Sequence, residues 1–281
     1  MNPRGEERAE PVGRDPGDRL SPLEAQLRVL RREGRAGLVP FVTAGFPSLA
    51  ATVPVLAALE RAGAVAVELG IPFSDPLADG PVIQRTSQVA LDNGVTVADV
   101  LGEVATFRRD SSLPIVLMSY VNPILAHGPE AFARQAREAE ISGVILTDLP
   151  PEERPDVWSA LAGEGLDSIL LIAPTTDPVR RVQLARRSRG FVYCVSRTGV
   201  TGARSAFAGG LEAVISDVRQ ATTVPVGVGF GVNGADRARE VAAIADAVIV
   251  GAALCERMER GAQRDPEAAI AAAEEFVAEL A

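Results

Sequence analysis

Val226-Gly227-Val228-Gly229-Phe230-Gly231-Val232-Asn233-Gly234, with Val248-Ile249-Val250-Gly251-Ala252 a short helical stretch later, decides between two folds. The segment Gly229 to Gly234 satisfies GxGxxG, the fingerprint of an open dinucleotide-binding sheet. That fold needs further strands beyond the motif and an acidic residue after the next strand. Only one strand-like run remains before the terminal helix, and the acidic residue Asp246 precedes it. Glycines closing the last two strands instead let backbone N–H groups approach a ligand, as in the phosphate site of a closed barrel.

Working outward, short apolar, β-branched runs recur at Leu38–Thr43, Ala64–Leu69, Ile115–Tyr120, Gly143–Thr147, Ser168–Ile172, Phe191–Val195, Val224–Val228 and Ala247–Val250. Between them lie amphipathic stretches of helical period, such as Glu130–Glu140 and Asp177–Arg187. Near-continuous apolar strands alternating with helices indicate a parallel sheet covered on both faces. Eight of them predict an α/β fold of the (β/α)8 TIM-barrel type. A doubly wound open sheet is the alternative, but polar and glycine-rich signatures follow most strands rather than one switch point. An extra N-terminal helix is expected over Ser21 to Arg35, with Ser21 as N-cap and Pro22 at the first helical position. No linker divides the chain, so residues 21–281 read as one barrel domain behind a polar, flexible extension over 1–20.

The 281 residues are 47% hydrophobic, enough for a large core, and carry a net charge of −9. That acidic balance argues against nucleic-acid or anionic-membrane partners, while leaving a small phosphorylated metabolite open. No apolar run reaches the roughly 18–20 residues of a membrane span, and Met1 to Leu20 lacks the apolar core of a signal peptide. Cys194 and Cys255 lack CxxC spacing and read as buried free thiols in a reducing cytoplasm. All 28 basic side chains are arginines, which excludes a lysine Schiff base. One histidine, His127, excludes a histidine-rich metal site, and no metal is expected. The chemistry must come from carboxylates, hydroxyls or backbone.

Glu68 is the odd residue in its strand, a carboxylate facing opposite to Val67 and Leu69 and therefore into a barrel. Burial would raise its pKa into the range of a general acid/base. A structural Glu paired with an arginine or with backbone amides is the competing reading. Asp75 and Asp79 follow in a loop with three prolines, consistent with turn chemistry or with a catalytic loop. Ser196-Arg197-Thr198-Gly199-Val200-Thr201-Gly202 suits a lid or a phosphate contact. His127, beside Gly128-Pro129, reads as a surface turn residue, and Trp158 as helix packing.

Together these residues resemble the tryptophan synthase α-subunit family. The resemblance spans Leu38 to Leu254 and rests on Pro40-Phe41-Val42-Thr43-Ala44-Gly45, Glu68 through Pro81, Tyr120-Val121-Asn122-Pro123-Ile124, Asp148-Leu149-Pro150, and Ser196 through Gly202. It implies cleavage of indole-3-glycerol phosphate to indole and glyceraldehyde 3-phosphate. Glu68 would be the general acid/base and Asp79 the carboxylate at the indole N–H. Tyr193 would support Glu68 and the substrate; Phe41, Tyr120, Ile172, Phe230 and Ile249 would line the indole slot. Phosphate would sit on Gly202, Gly229, Phe230, Gly231, Gly251 and Ala252, with Thr201 on the closing loop. The resemblance also implies a pyridoxal-phosphate-bearing β subunit in an α2β2 heterotetramer, faced by Asp75, Asn122 and Pro150, and no cofactor on this chain. Three departures stand out: Ala252 where serine is common, Thr147 where proline or alanine is usual, and the N-terminal extension. A phosphoribosyl-anthranilate isomerase or indole-glycerol-phosphate synthase relative is the rival enzyme reading, although the latter uses a lysine. A non-catalytic barrel that only activates a partner is the rival of another kind.

Overall fold

The computed structural model describes residues 20–195, 210–229 and 231–281. Its strands are β1 (Gly37–Thr43), β2 (Val67–Gly70), β3 (Ile115–Ser119), β4 (Gly143–Leu146), β5 in two pieces (Asp167–Ser168 and Leu171–Ile172), β6 (Val192–Val195), β7 (Val226–Gly229) and β8 (Ala247–Val250). Every pairing is parallel. The order runs from the first piece of β5 through β4, β3, β2, β1, β8, β7 and β6 to the second piece of β5. Both ends of this series belong to one stretch of chain. Gly143 pairs with Asp167 on one side of it, and Tyr193 pairs with Leu171 on the other. The sheet therefore has no free edge and closes into the expected eight-stranded barrel, which removes the doubly wound alternative.

Alternation along the strands builds two apolar layers. Val39, Phe41, Val116, Ile145, Phe191 and Ile249 pack together inside the barrel. Val42, Leu69, Leu117, Val144, Cys194 and Val250 face outward into a larger core beneath the helices. The helix Pro22–Arg32 closes the N-terminal end: Ser21 caps it by accepting the Glu24 N–H at 3.1 Å, and its Leu23 and Leu27 join the interior layer, fully buried. It stops short of Arg35 because the chain turns at Gly34, which adopts φ +71°.

Asp246, just ahead of β8, has a structural role. Its carboxylate accepts the Val226 N–H at 2.8 Å and an Arg219 N–H at 3.1 Å, with Arg31 at 3.8 Å. One buried side chain thus ties β7, the helix Leu211–Ala221 and the N-terminal helix together.

Candidate active site

Strand alternation turns Glu68 inward, as expected, in register with Phe41 of β1 and Val116 of β3. It is 1% exposed, and neither carboxylate oxygen has a hydrogen-bond partner among the described residues. Among the described residues neither an arginine nor a backbone amide meets it, which counts against the reading of Glu68 as a paired structural carboxylate. Burial, reinforced by the nearby charge of Asp79, pushes its pKa up to about 8.

Asp79 arrives on the loop from β2 to the helix Pro81–Asp92. Two turns shape that loop: the Leu77 N–H donates to the Asp75 carbonyl at 2.9 Å, and the Asp79 N–H to the Pro76 carbonyl at 3.0 Å. Tyr120, directly after β3, anchors it by accepting the Ala78 N–H at 2.8 Å, which brings its phenol close to Asp79. Burial raises the Asp79 pKa to about 6, with the nearby Tyr120 hydroxyl acting in the opposite direction. The Tyr193 phenol lies within the field of both carboxylates, and burial and those charges push its pKa well up. Glu68, Asp79, Tyr120 and Tyr193 thus converge at the C-terminal mouth of the barrel, where enzymes of this fold place their chemistry.

Two glycines make room for the rings there. A Cβ on Gly229 would sit 2.2 Å from the Tyr193 hydroxyl, and one on Gly70 would sit 2.7 Å from the edge of the Phe41 ring. Gly229 therefore has a packing reason to be glycine, independent of any phosphate. Phe41 and Ile249 face the interior as expected, whereas Ile172 does not. Ile172 packs outward beneath the helices, and its neighbour Leu171 turns to the interior instead. An all-apolar strand carries no polar residue to mark its faces, so the alternation could be read in either phase.

Gly251 precedes the helix Ala252–Ala262, whose first N–H groups have no intrahelical acceptor, and Gly231 bends the opposing loop with φ +83°. Asp75 and Pro150 are exposed on loops at the same end of the barrel, and Asn122 is exposed in the first turn of the helix Val121–His127 rather than on a loop. Leu77, unremarked in the sequence reading, is 94% exposed beside Asp75. Thr201, Gly202 and Phe230 lie outside the described residues. His127 ends the helix Val121–His127 and is half-buried rather than sitting in a surface turn; it bonds Gln135 at 3.0 Å and meets the edge of Phe132. Cys194 and Cys255 are buried free thiols, each pushed up to about 12 by burial. Among the described residues no group of side chains is arranged to hold a metal ion, and no helix is long and apolar enough to cross a membrane.

A closed parallel barrel whose C-terminal mouth holds a buried carboxylate, Glu68, and a half-buried one, Asp79, with no arginine pairing either among the described residues, defines a (β/α)8 enzyme equipped for acid–base chemistry. More narrowly, the chain belongs to the tryptophan synthase alpha chain family, whose model matches residues 27–281. It is 45% identical to the tryptophan synthase alpha chains of Burkholderia multivorans and Synechocystis sp., covering 93% of this chain and 96% and 98% of theirs. Among solved structures, Mycobacterium tuberculosis tryptophan synthase aligns with a TM-score of 0.84 at 36% identity, covering 93% of this chain and 97% of that one. The tryptophan synthase alpha chain of Legionella pneumophila aligns at 0.83 and 35%, covering 93% and 96%.

Proposed function

We propose that this chain is a carbon–carbon lyase that splits indole-3-glycerol phosphate into indole and glyceraldehyde 3-phosphate, with Glu68 and Asp79 as its catalytic pair. The observation that carries the proposal is the divergence of their environments: Glu68 titrates near about 8 and Asp79 near about 6. At neutral pH Glu68 holds its proton while Asp79 is charged, so one mouth carries an acid and an anion with separate tasks.

The chemistry uses them in sequence. Breaking a C–C bond beside a hydroxyl requires an electron sink, and with no lysine in the chain the substrate's indole is the available one. Glu68 donates its proton to indole C3, which makes the ring a cation. Asp79 stabilises the positive charge developing at the ring nitrogen. The Glu68 carboxylate then removes the proton of the adjacent glycerol hydroxyl. The C–C bond breaks, its electron pair returns to the indole ring, and the hydroxyl carbon becomes the aldehyde. Glu68 ends protonated, as it began.

Phe41, Leu171, Tyr193 and Ile249 form the apolar wall suited to an indole ring. The free amides ahead of Ala252–Ala262, with Gly231 opposite, suit the phosphate. Pyridoxal phosphate belongs to the β subunit in this reading, and indole passes to it. Asp75, Leu77, Asn122 and Pro150, exposed around the mouth, are the surface on which that partner would sit in an α2β2 assembly. Residues 21–281 act as one barrel domain, with 1–20 outside it, in the cytoplasm.

The test is release of indole and glyceraldehyde 3-phosphate from indole-3-glycerol phosphate by the chain alone and with a β subunit. Turnover that survives both Glu68→Gln and Asp79→Asn would remove the pair from the reaction.

A further inference from the structure

We infer that Gln84 is a positioning residue, whose side-chain amide clasps the Asp79 backbone to the helix that follows it. This deepens the reading of Asp79 given above and rests on it. Asp79 stands two residues ahead of the helix Pro81–Asp92, and the N-cap between them, Gly80, has no side chain with which to tie loop to helix. Gln84 supplies the tie. Its backbone N–H donates to the Gly80 carbonyl at 3.0 Å, and its side-chain amide reaches back to the Asp79 carbonyl at 2.9 Å. A carbonyl only accepts, so the amide nitrogen faces it. One residue thus meets two successive carbonyls across the joint. On its other side Asp79 donates its N–H to the Pro76 carbonyl at 3.0 Å, so both of its backbone polar groups are engaged.

The clasp can hold Asp79 only if the helix is itself fixed, and it is fixed at three points. The buried Thr86 hydroxyl donates to the Ile83 carbonyl at 2.9 Å and lies 2.7 Å from the hydroxyl of Thr43, at the end of β1. Thr86 has then spent its proton, and Thr43 is the donor between them. Beside this bridge, Arg85 grips Glu259 of the helix Ala252–Ala262 through bonds of 2.8 and 2.7 Å. Just past the helix end, Asn93 donates to the Pro47 carbonyl at 3.1 Å. β1 in turn pairs with β2, with Phe41 opposite Glu68. The backbone of Asp79 is therefore referred, through Gln84, the helix and Thr43, to the strand beside Glu68, while Tyr120 holds Ala78 from the β3 side. Gln84 acts on the carboxylate through the backbone that carries it.

The experiment uses two variants. Gln84→Met keeps the length of the side chain without its N–H, and Gln84→Glu keeps the shape but turns an acceptor toward the Asp79 carbonyl. kcat and KM for indole-3-glycerol phosphate are measured in the α/β complex, with Gln84→Ala replacing either variant if circular dichroism shows it misfolded. Thermal unfolding is followed alongside, because an acidic side chain near the start of a helix favours the helix. Both variants are expected to lower kcat about three- to tenfold, the worth of one hydrogen bond, with KM changed less than about twofold. Gln84→Glu should nevertheless unfold at the parent temperature or above it, whereas a side chain that merely stabilised the helix would lose activity and stability together. Parent turnover in Gln84→Met, or a loss of kcat that follows the loss of thermal stability across the variants, would each overturn the clasp. Asp79→Asn, assayed beside them, separates the two failures. If it turns over like the parent, the reading of Asp79 falls; if it is impaired while Gln84→Met is normal, only the clasp falls.

Discussion

At the N-terminal end of the barrel, Glu24, Asp167 and Asp246 are buried and all are met by partners. Glu24 pairs with Arg28 at 2.7 Å, Asp167 accepts the Ser21 hydroxyl, and Asp246 takes Arg219, Arg31 and a backbone N–H. At the C-terminal end, Glu68 is buried as deeply with no hydrogen-bond partner among the described residues, and Asp79 has a tyrosine nearby and no arginine among them. The chain is not short of cations, with 28 arginines. Pairing at one end holds the fold together, whereas its absence among the described residues at the other leaves a proton available for transfer. The difference separates structural from chemical carboxylates without reference to any relative.

The contrast is broken most directly at Glu68. Glu68→Gln keeps the shape of the side chain but cannot shuttle protons, so indole release should fall by about 10²–10⁴. A steady-state assay showing less than about a tenfold loss would place the chemistry elsewhere. At the opposite end, Asp246→Ala should act on stability alone. It strands the Val226 N–H in the core and leaves Arg219 and Arg31 without their shared anion. The expected loss is about 2–4 kcal/mol in urea unfolding, with turnover per folded molecule within about twofold of the parent. A loss below about 1 kcal/mol would mean that the lower network is ornamental.

Stability against pH sharpens the same comparison. Folding raises the pKa of Glu68 from 4.5 to about 8, so the folded state favours its protonated form. That contribution is fully present below pH 4.5 and is lost as pH rises toward about 8. Asp79 follows the same sign over the lower window from 3.8 to about 6. Glu68→Gln removes the upper penalty. It should therefore be more stable than the parent by about 2–4 kcal/mol near pH 8, and close to equal near pH 4.5. Parallel stability curves for parent and variant would show that Glu68 pays no desolvation cost.

How much of this was legible depends on whether the decisive contact is local. The eight apolar runs, the Ser21 cap and the inward turn of Glu68 follow from period and alternation, which are properties of neighbouring residues. Ser168–Ile172 reads as one strand, yet it pairs as two pieces, because its first half faces β4 and its second faces β6 at the point of closure. Nothing within those five residues records that geometry. The phase of Leu171 and Ile172 was unreadable for the reason given above. The environment of Asp79 was equally hidden, since its loop is anchored by Tyr120, 42 residues beyond Ala78. GxGxxG was legible and misleading: its first glycine, Gly229, is required by the Tyr193 hydroxyl of the neighbouring strand.

The smallest expected effect lies at Ala252, where neither end's rule has been applied. Ala252 opens the helix Ala252–Ala262 and is exposed, so a hydroxyl there meets no packing constraint. The amides beside it carry the partial positive charge of a helix N-terminus and already suit an anion. A serine would add one neutral donor to that set. If the amides leave a phosphate oxygen short of a partner, Ala252→Ser should tighten glycerol 3-phosphate by about 0.5–1.5 kcal/mol, or roughly two- to twelvefold in Kd by calorimetry. Thermal stability should be unchanged, because the side chain replaces water contact with water contact. Unchanged or weaker affinity would mean that backbone donors saturate the phosphate. The C-terminal mouth would then resemble the N-terminal end in one respect, an anion fully met by the chain, and among the described residues there the unmet carboxylate would be Glu68.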